Sequence, residues 1–344
     1  MNSIDMVKRV HRYSEEKIRL YFYRKQAHRL IKQLVNRRGY KIVDKKKMRM
    51  LKSYAKKTFG SSSFWPWLSL YTEIRGEFKT GWIPNDYFLA CLSRQYNPES
   101  IRISAYKTFD HKVFPNFAPD PLLLKIGKNI YDSDRRPIAI NKAENILADY
   151  NDEVVLKEDE GFGGHGVKFI ESGKLDLDTY SHISSYIIQP VIQQHEDLGL
   201  LNDKTVNTVR VLTYLNDEGE IDIKYAYLRF GIGESRVDNA SSGGGFCFVK
   251  SNGHLAEGAY NRFGIKIGER HPDSGITFKS IAIPSYEKVL DQCIKSHKIF
   301  PYLRFIGWDV TVNKLGDPVL LEWNSAPLIW LPEALNGPFF EEQL

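Results

Sequence analysis

From about Val7 to Lys57, apolar side chains return every three or four positions, at Ile18, Phe22, Leu30, Ile31, Leu34 and Val35, with no proline and one glycine, Gly39. That period predicts two or three helices, and lysine or arginine fills so many intervening positions that the helices are basic. Residues 61–82 (SSSFWPWLSLYTEIRGEFKTGW) read as a polar-aromatic connector, leading to a short helix over 86–95. Beyond Ile101 the texture changes to short β-rich runs separated by Gly, Asn, Asp and Pro. Strands are expected at 121–126, 153–157, 167–171, 186–189, 206–215, 221–230, 246–250, 305–313 and 318–323, and helices at 142–150, 177–184 and 285–297. The pattern is an α+β body with largely antiparallel sheets behind a basic helical arm. Four segments follow from it: an arm over 1–60, a connector over 61–105, a first body region over 106–190 and a second over 191–344.

Composition narrows the class. A chain of 344 residues exceeds one compact core. With 42% hydrophobic and 26% charged residues, neither disorder throughout nor a membrane bundle is plausible. No apolar run approaches the ~18 residues of a membrane helix, and the start lacks an apolar segment of signal-peptide type. Cys91, Cys247 and Cys293 are far apart and form no CxxC pair, which argues against a disulfide framework and against a cysteine zinc site. A reducing, cytoplasmic setting is expected.

The net charge of +6 hides an uneven distribution: the first 57 residues hold 19 lysines and arginines against four acids, while the rest is slightly acidic. The arm is expected to dock on that acidic body or to rest on an anionic membrane face, with docking preferred. Nucleic acid is not the expected partner, although Tyr13, Tyr21, Phe22, Tyr23 and Tyr40 interleave with the basic residues. Trp65, Trp67 and Trp82 form either a sugar-stacking surface or, preferably, the packing between arm and body.

Candidate chemistry starts with VVLKEDEGFGGHGVKFIE, where Gly161, Gly163 and Gly166 spell GxGxxG. A dinucleotide loop would run into a helix; VKFIE alternates like a strand, so the motif reads as a glycine-rich hairpin. Gly161, Gly163, Gly164 and Gly166 let the backbone close over phosphate oxygens, and Lys157 adds a positive charge there. The plainer reading is a flexible surface hairpin without a ligand.

A second constellation is FIGWDVTVNKLGDPVLLEWNSAP, two strand-like runs around the turn signal NKLGDP. A hairpin symmetric about the midpoint of Leu315 and Gly316 sets Asp309 opposite Glu322, with Cβ atoms ~5 Å apart. Asn324, two residues on, shares their face. Two carboxylates and an amide oxygen make an oxygen-only site that suits Mg²⁺. Trp308, Val310, Leu321 and Trp323 are expected to face the core. A phosphate-cradling loop with a magnesium hairpin points to ATP, and the absence of GxxxxGK[ST], HRD and DFG excludes P-loop enzymes and protein kinases.

Taken in order, DHKVF, VVLKEDEGFGGHGV, YIIQPVIQQHEDLGLLNDKTVNTVRVLTY, LRFG…VDNASSGGG and GWDVTV…VLLEWNSAP resemble the ATP-grasp superfamily, more narrowly its sugar-transfer-associated proteins, over residues 106–331. The resemblance implies two α+β subdomains gripping ATP between antiparallel sheets. It implies that Lys112 and Lys157 contact ATP phosphates under a lid formed by the glycine loop. Gln189, Pro190, Val191 and Ile192 would link the subdomains and read the adenine edge, and Glu196 would hold the ribose. Asp309, Glu322 and Asn324 match the family's magnesium ligands, and Arg210 and Arg229 match basic positions near the transferred phosphoryl and the acceptor. Asn239, Ser242 and Gly243 lie in a stretch that reads either as a second anion nest for substrate or as a mobile loop.

The implied reaction is ATP-dependent carboxylate–amine ligation through an acyl phosphate, joining a sugar-linked carboxylate or an amino-sugar to an amino acid or small amine in cell-surface polysaccharide synthesis. A small-molecule kinase on the same fold is the nearest rival, and a binding module with a vestigial ATP site is the rival of another class.

Overall fold

The first two helices are held by their apolar stripes. In the computed structural model, which describes residues 3–38, 43–97, 103–161, 166–236 and 243–341, α1 spans Ser3–Arg38 and α2 spans Lys45–Phe59. Asp44 caps α2 by accepting from the Lys47 amide at 2.8 Å, and Gly60 ends it with φ +75°, a left-handed conformation that favours glycine. Leu51, Ala55 and Phe59, four residues apart, are the buried positions of α2.

The expected connector is a helix, α3 (Trp65–Arg75), with Pro66 in its first turn. Seven consecutive residues, Pro66 to Thr72, are buried, so it has no polar face and no amphipathic period for a sequence reading to find. Trp67 and Trp82 are fully buried beside Tyr71 and Trp330, which identifies them as packing between arm and body and removes the sugar-stacking reading. The helix expected over 86–95 is broken into α4 (Asn85–Tyr87), a π-turn at Phe88–Leu92 and α5 (Ser93–Tyr96).

After α6 (Lys107–Val113), the first sheet uses β1 (Leu123–Ile126), β2 (Asn129–Tyr131), β3 (Pro137–Ile138), β4 (Glu153–Glu158), β5 (Val167–Glu171) and β6 (Ser185–Pro190), in the order β3-β2-β1-β6-β4-β5. Every pairing is antiparallel. Helix α7 (Ile140–Tyr150) covers it with Ala143 and Leu147, which pack on Leu123, Leu156 and Ile188. Where a helix was expected over 177–184, there is only a 3₁₀ turn at Leu177–Tyr180.

Beyond α8 (Glu196–Gly199), the second sheet uses β7 (Thr208–Leu215), β8 (Ile221–Phe230), β9 (Gly245–Val249), β10 (Leu255–Asn261), β11 (Lys266–Gly268), β12 (Phe305–Val312) and β13 (Pro318–Asn324). Its order is β11-β10-β9-β8-β7-β12-β13, again antiparallel throughout. Helix α9 (Tyr286–His297) backs this sheet, with Val289 and Cys293 in its core. Helix α10 (Trp330–Asn336) returns to α3, so the arm, the former connector and the C-terminal helix share one apolar cluster. The arm is thus docked on the body.

Three buried carboxyls stand out. Burial pushes Asp86 and Asp110 up to about 7 and Glu333 up to about 8. Between about pH 4 and 8 these three carboxyls hold protons in the folded chain that the unfolded chain has released, so their contribution falls as pH rises; burial of His111 and His297 lowers both and opposes them only in the acid part of that window. Thermal melting is expected several degrees higher at about pH 5.5 than at about pH 8.5; a higher value on the alkaline side would contradict this ledger of charges.

Candidate active site between the two sheets

The side chains of one sheet face alternate with those of the other, and this fixes what the second sheet shows to the first. Asp309 of β12 lies between Arg210 of β7 and Glu322 of β13, each directly opposite it. Thr208, Arg210, Arg229, Asp309 and Glu322 therefore form one polar face, while Val209, Val211, Leu228, Trp308, Val310 and Trp323 form the core behind it.

The register predicted from the turn holds at Asp309 and Glu322, but the hairpin reaches it differently. Below that pair, Val310 faces Leu320 and Val312 faces Pro318, so Leu321 is an extra residue in a β-bulge. The bulge turns Leu321 out of the core, where it was expected, and into the cleft; Leu320 is buried in its place. Under the hairpin, the Trp308 and Trp323 rings stack at 6.1 Å, and Trp323 Nε1 donates to Asp110 of α6 at 2.9 Å.

A cleft of about 780 Å³, measured with its open mouth, separates the sheets. Its apolar lining is Val155, Val167, Phe169, Val191, Ile192 and Leu321. The same lining carries Lys107 on α6 and Lys157 on β4, the latter directly across from Val167, together with Arg229, Asp309 and Glu322 of the second sheet. Burial, reinforced by Lys107, lowers Lys157 to about 8. The cleft thus combines an apolar lining with a few convergent charged groups, the sort of convergence expected of a ligand site.

Asp309 is 4% exposed and takes a bidentate ion pair from Arg210, with Nη2 to Oδ2 at 2.6 Å and Nε to Oδ1, while Arg229 Nη1 donates to Oδ2 at 3.1 Å. Burial would raise its carboxyl, yet the two guanidiniums outweigh that and hold it below the ordinary range. Glu322 moves the other way: burial and the charge of Asp309 raise it, against the opposing pull of Lys107, Arg210 and Arg229. Gly307, opposite Asn324, keeps space for Pro327, since a Cβ there would lie 2.9 Å from the Pro327 Cβ.

Among the described residues no three His, Cys, Asp or Glu side chains converge as a complete cation cage. The donor set is nonetheless hard oxygen throughout. Glu322, made costly to ionise by its neighbour, and Asn324 on the same face would hold a divalent cation, and Asp309 would join by releasing one arginine hydrogen bond. Such a site fits Mg²⁺ completed by phosphate oxygens better than a cation held by protein alone.

A family model described as "Sugar-transfer associated ATP-grasp" matches residues 92–344. The chain belongs to this family. A search of curated proteins finds no match. Solved structures similar to this ATP-grasp chain include the ATP-grasp ligase PsnB complexed with a phosphomimetic variant of its minimal precursor, Mg and ADP (14% identity, TM-score 0.42, covering 75% of this chain and 63% of that one). Biotin carboxylase from Campylobacter jejuni in a β,γ-ATP complex is 14% identical over 75% of this chain and 50% of its own, with a TM-score of 0.41. The D-alanine-D-alanine ligase from Coxiella burnetii is 9% identical over 66% and 49%, with a TM-score of 0.36. The chain thus spans about half to two thirds of the length of these proteins.

Within the ATP-grasp chain, the residues named from sequence are placed differently, and Asn324, on β13 opposite Gly307, is not in the cleft lining. Lys157, Val191, Ile192, Arg229, Asp309 and Glu322 line the cleft, and Arg210 reaches it through Asp309. Glu196 lies in a wider chamber that opens from the cleft past Phe169, Val191 and Ile192. Gln189 and Pro190 end β6 beside β4, outside the cleft lining; the Gln189 side chain is buried and donates to the Pro119 carbonyl at 2.7 Å.

Lys112 is exposed on α6 and absent from the lining; the lysine of that helix inside the cleft is Lys107, 7% exposed. Its Nζ donates to the carbonyls of Gly161 at 2.9 Å and Glu158 at 3.3 Å, anchoring one end of the glycine hairpin. The other end, Gly166, has φ +80° and would set a Cβ 3.0 Å from Glu158, so glycine is required there. Gly163, Gly164, Asn239 and Ser242 lie outside the described residues, and Gly243 is exposed with φ +100°.

Two cleft residues escaped the sequence reading. Lys107 lies in YKTFD, which has no motif. Arg236, after β8, pairs both guanidinium nitrogens with Glu153 of β4 and lies 3.9 Å over the Phe169 ring, joining the two lobes at the cleft mouth.

Proposed function

We propose that the chain is an ATP-dependent carboxylate–amine ligase that joins an amino acid or small amine to a sugar-linked carboxylate, or an amino acid to an amino-sugar, in cell-surface polysaccharide synthesis. The observation that carries it is one cleft between the sheets whose lining brings Lys107, Lys157, Arg229, Asp309 and Glu322 together with apolar side chains. Family membership supplies the nucleotide.

The apolar lining takes the adenine ring, and Lys107 and Lys157 neutralise phosphate oxygens. When bound, Mg²⁺ screens charge on the transferring phosphoryl group, and Glu322, Asn324 and Asp309 are the side chains that would hold it. A carboxylate oxygen of the acceptor attacks the terminal phosphorus, the bond to the bridging oxygen breaks, and ADP leaves. Arg229 and Arg210 hold the carboxylate and the developing negative charge. The amine then attacks the acyl carbon, phosphate departs with the bonding pair, and the amine proton passes to solvent or a nearby base. Most of the rate gain in such chemistry comes from positioning and charge neutralisation, which is what this cleft supplies.

A phosphate-release screen pairing uronic acids and nucleotide-sugars with amino acids, followed by intact-mass measurement, tests the reading. Release should require both a carboxylate and an amine, and the product should gain the mass of an amide. Transfer of phosphate to a hydroxyl without free phosphate would establish a kinase instead.

A further inference from the structure

One apolar cluster on the surface belongs to α1, none of whose described residues lines the cleft. Ile18, Tyr21 and Phe22 of α1 are 69%, 68% and 63% exposed, spaced three and four apart so that they share one helix face. The opposite face is fixed. Ala27 is fully buried, Leu20, Leu30 and Ile31 pack against the same cluster, and Arg24 lies 4.9 Å over the Phe64 ring and 3.7 Å from Asp86. The helix therefore cannot roll to cover the three apolar side chains without giving up its seat on the body.

Further along the same outer face come Lys25, Arg29 and Lys32, all exposed. From Lys17 to Val43 the sequence has nine lysines and arginines and no acid, and α2 adds seven basic residues, again without an acid.

We propose that this outer face of α1 docks, lying in the plane of the surface, on an anionic lipid bilayer. Phosphate headgroups complement the lysines and arginines, while Ile18 and Phe22 reach the acyl boundary and Tyr21 sits at the headgroup level. A second copy of the chain fails on charge, since two such faces repel. Nucleic acid would satisfy the cations and stack on Tyr21 and Phe22, but it leaves Ile18 in water. Among the described residues no helix is long and apolar enough to cross a membrane, so the seat is peripheral.

Co-sedimentation of the full chain with vesicles of phosphatidylglycerol and phosphatidylcholine, beside vesicles of phosphatidylcholine alone, tests this. Binding is expected only to the anionic vesicles at about 0.1 M salt, and should weaken as salt screens the headgroups. The triple substitution Ile18→Ser, Tyr21→Ser, Phe22→Ser should lower partition at least about tenfold while leaving the melting temperature unchanged, because all three side chains are exposed. Charge reversal by Lys25→Glu, Arg29→Glu and Lys32→Glu should remove the salt-sensitive part. Failure to bind anionic vesicles, or equal partition of the apolar triple with the unaltered chain, overturns the proposal. Tighter binding to single-stranded RNA that the apolar triple leaves intact also overturns it, assigning the face to nucleic acid.

Discussion

Replacing Glu322 by glutamine is expected to lower phosphate release by about a hundredfold or more and, in the same protein, to raise the melting temperature of the ligand-free chain. The two effects separate because they draw on different states. Without ligand, burial and the charge of Asp309 make ionised Glu322 costly, which is why its carboxyl titrates above the ordinary range. Glutamine keeps the shape and one oxygen while removing the charge, so the folded state is relieved. A folded carboxyl raised above its unfolded value weakens stability as pH climbs, so the gain should be largest in mild alkali and vanish in acid. With nucleotide present, the lost charge is the one that would hold the cation. Melting curves at about pH 8 and about pH 5, together with phosphate release, check both halves. Retained turnover would remove Glu322 from the cation site, and a lowered melting temperature would refute the electrostatic account.

Asp309→Ala should act in the opposite sense on stability, costing about 3–5 kcal/mol, because it removes the carboxylate that takes the bidentate ion pair of the buried Arg210. Pairing it with Arg210→Met should recover part of the loss, since contacting residues do not behave additively. Denaturant titration of the two single variants and the double measures this. A single-variant loss below about 1 kcal/mol, the scale of a surface ion pair, would show that the triad is solvated.

The hairpin pair was legible because its turn carries its own signal: NKLGDP marks the reversal, and alternation carries the facing from there to Asp309 and Glu322. What alternation could not show was the added Leu321, since a bulge leaves no consistent mark in residue type. The glycine hairpin was legible from composition, and its bracing by Lys107 was not, because that contact depends on where α6 is placed between two sheets assembled from distant segments. The motif drew the eye to Lys112 in DHKVF, one face of the same short helix away from the cleft. Helix α3 was missed for a related reason: being buried all round, it lacks the polar stripe by which helices are recognised. The preference for a docked arm followed from charge, whereas the docking itself rests on aromatic packing around Trp67 and Trp82.

The bulge at Leu321 also separates the hairpin into two modules. Toward the turn, Val310, Val312 and Leu320 answer only to the apolar core, and Leu315 at the tip is 78% exposed. Beyond the bulge, Asp309 and Glu322 line the cleft, with Trp308 and Trp323 behind them in the core. A residue gained or lost near the tip can be absorbed where the strand already carries one in excess, so mutational drift in the turn and selection on the carboxylates can proceed independently along the same pair of strands.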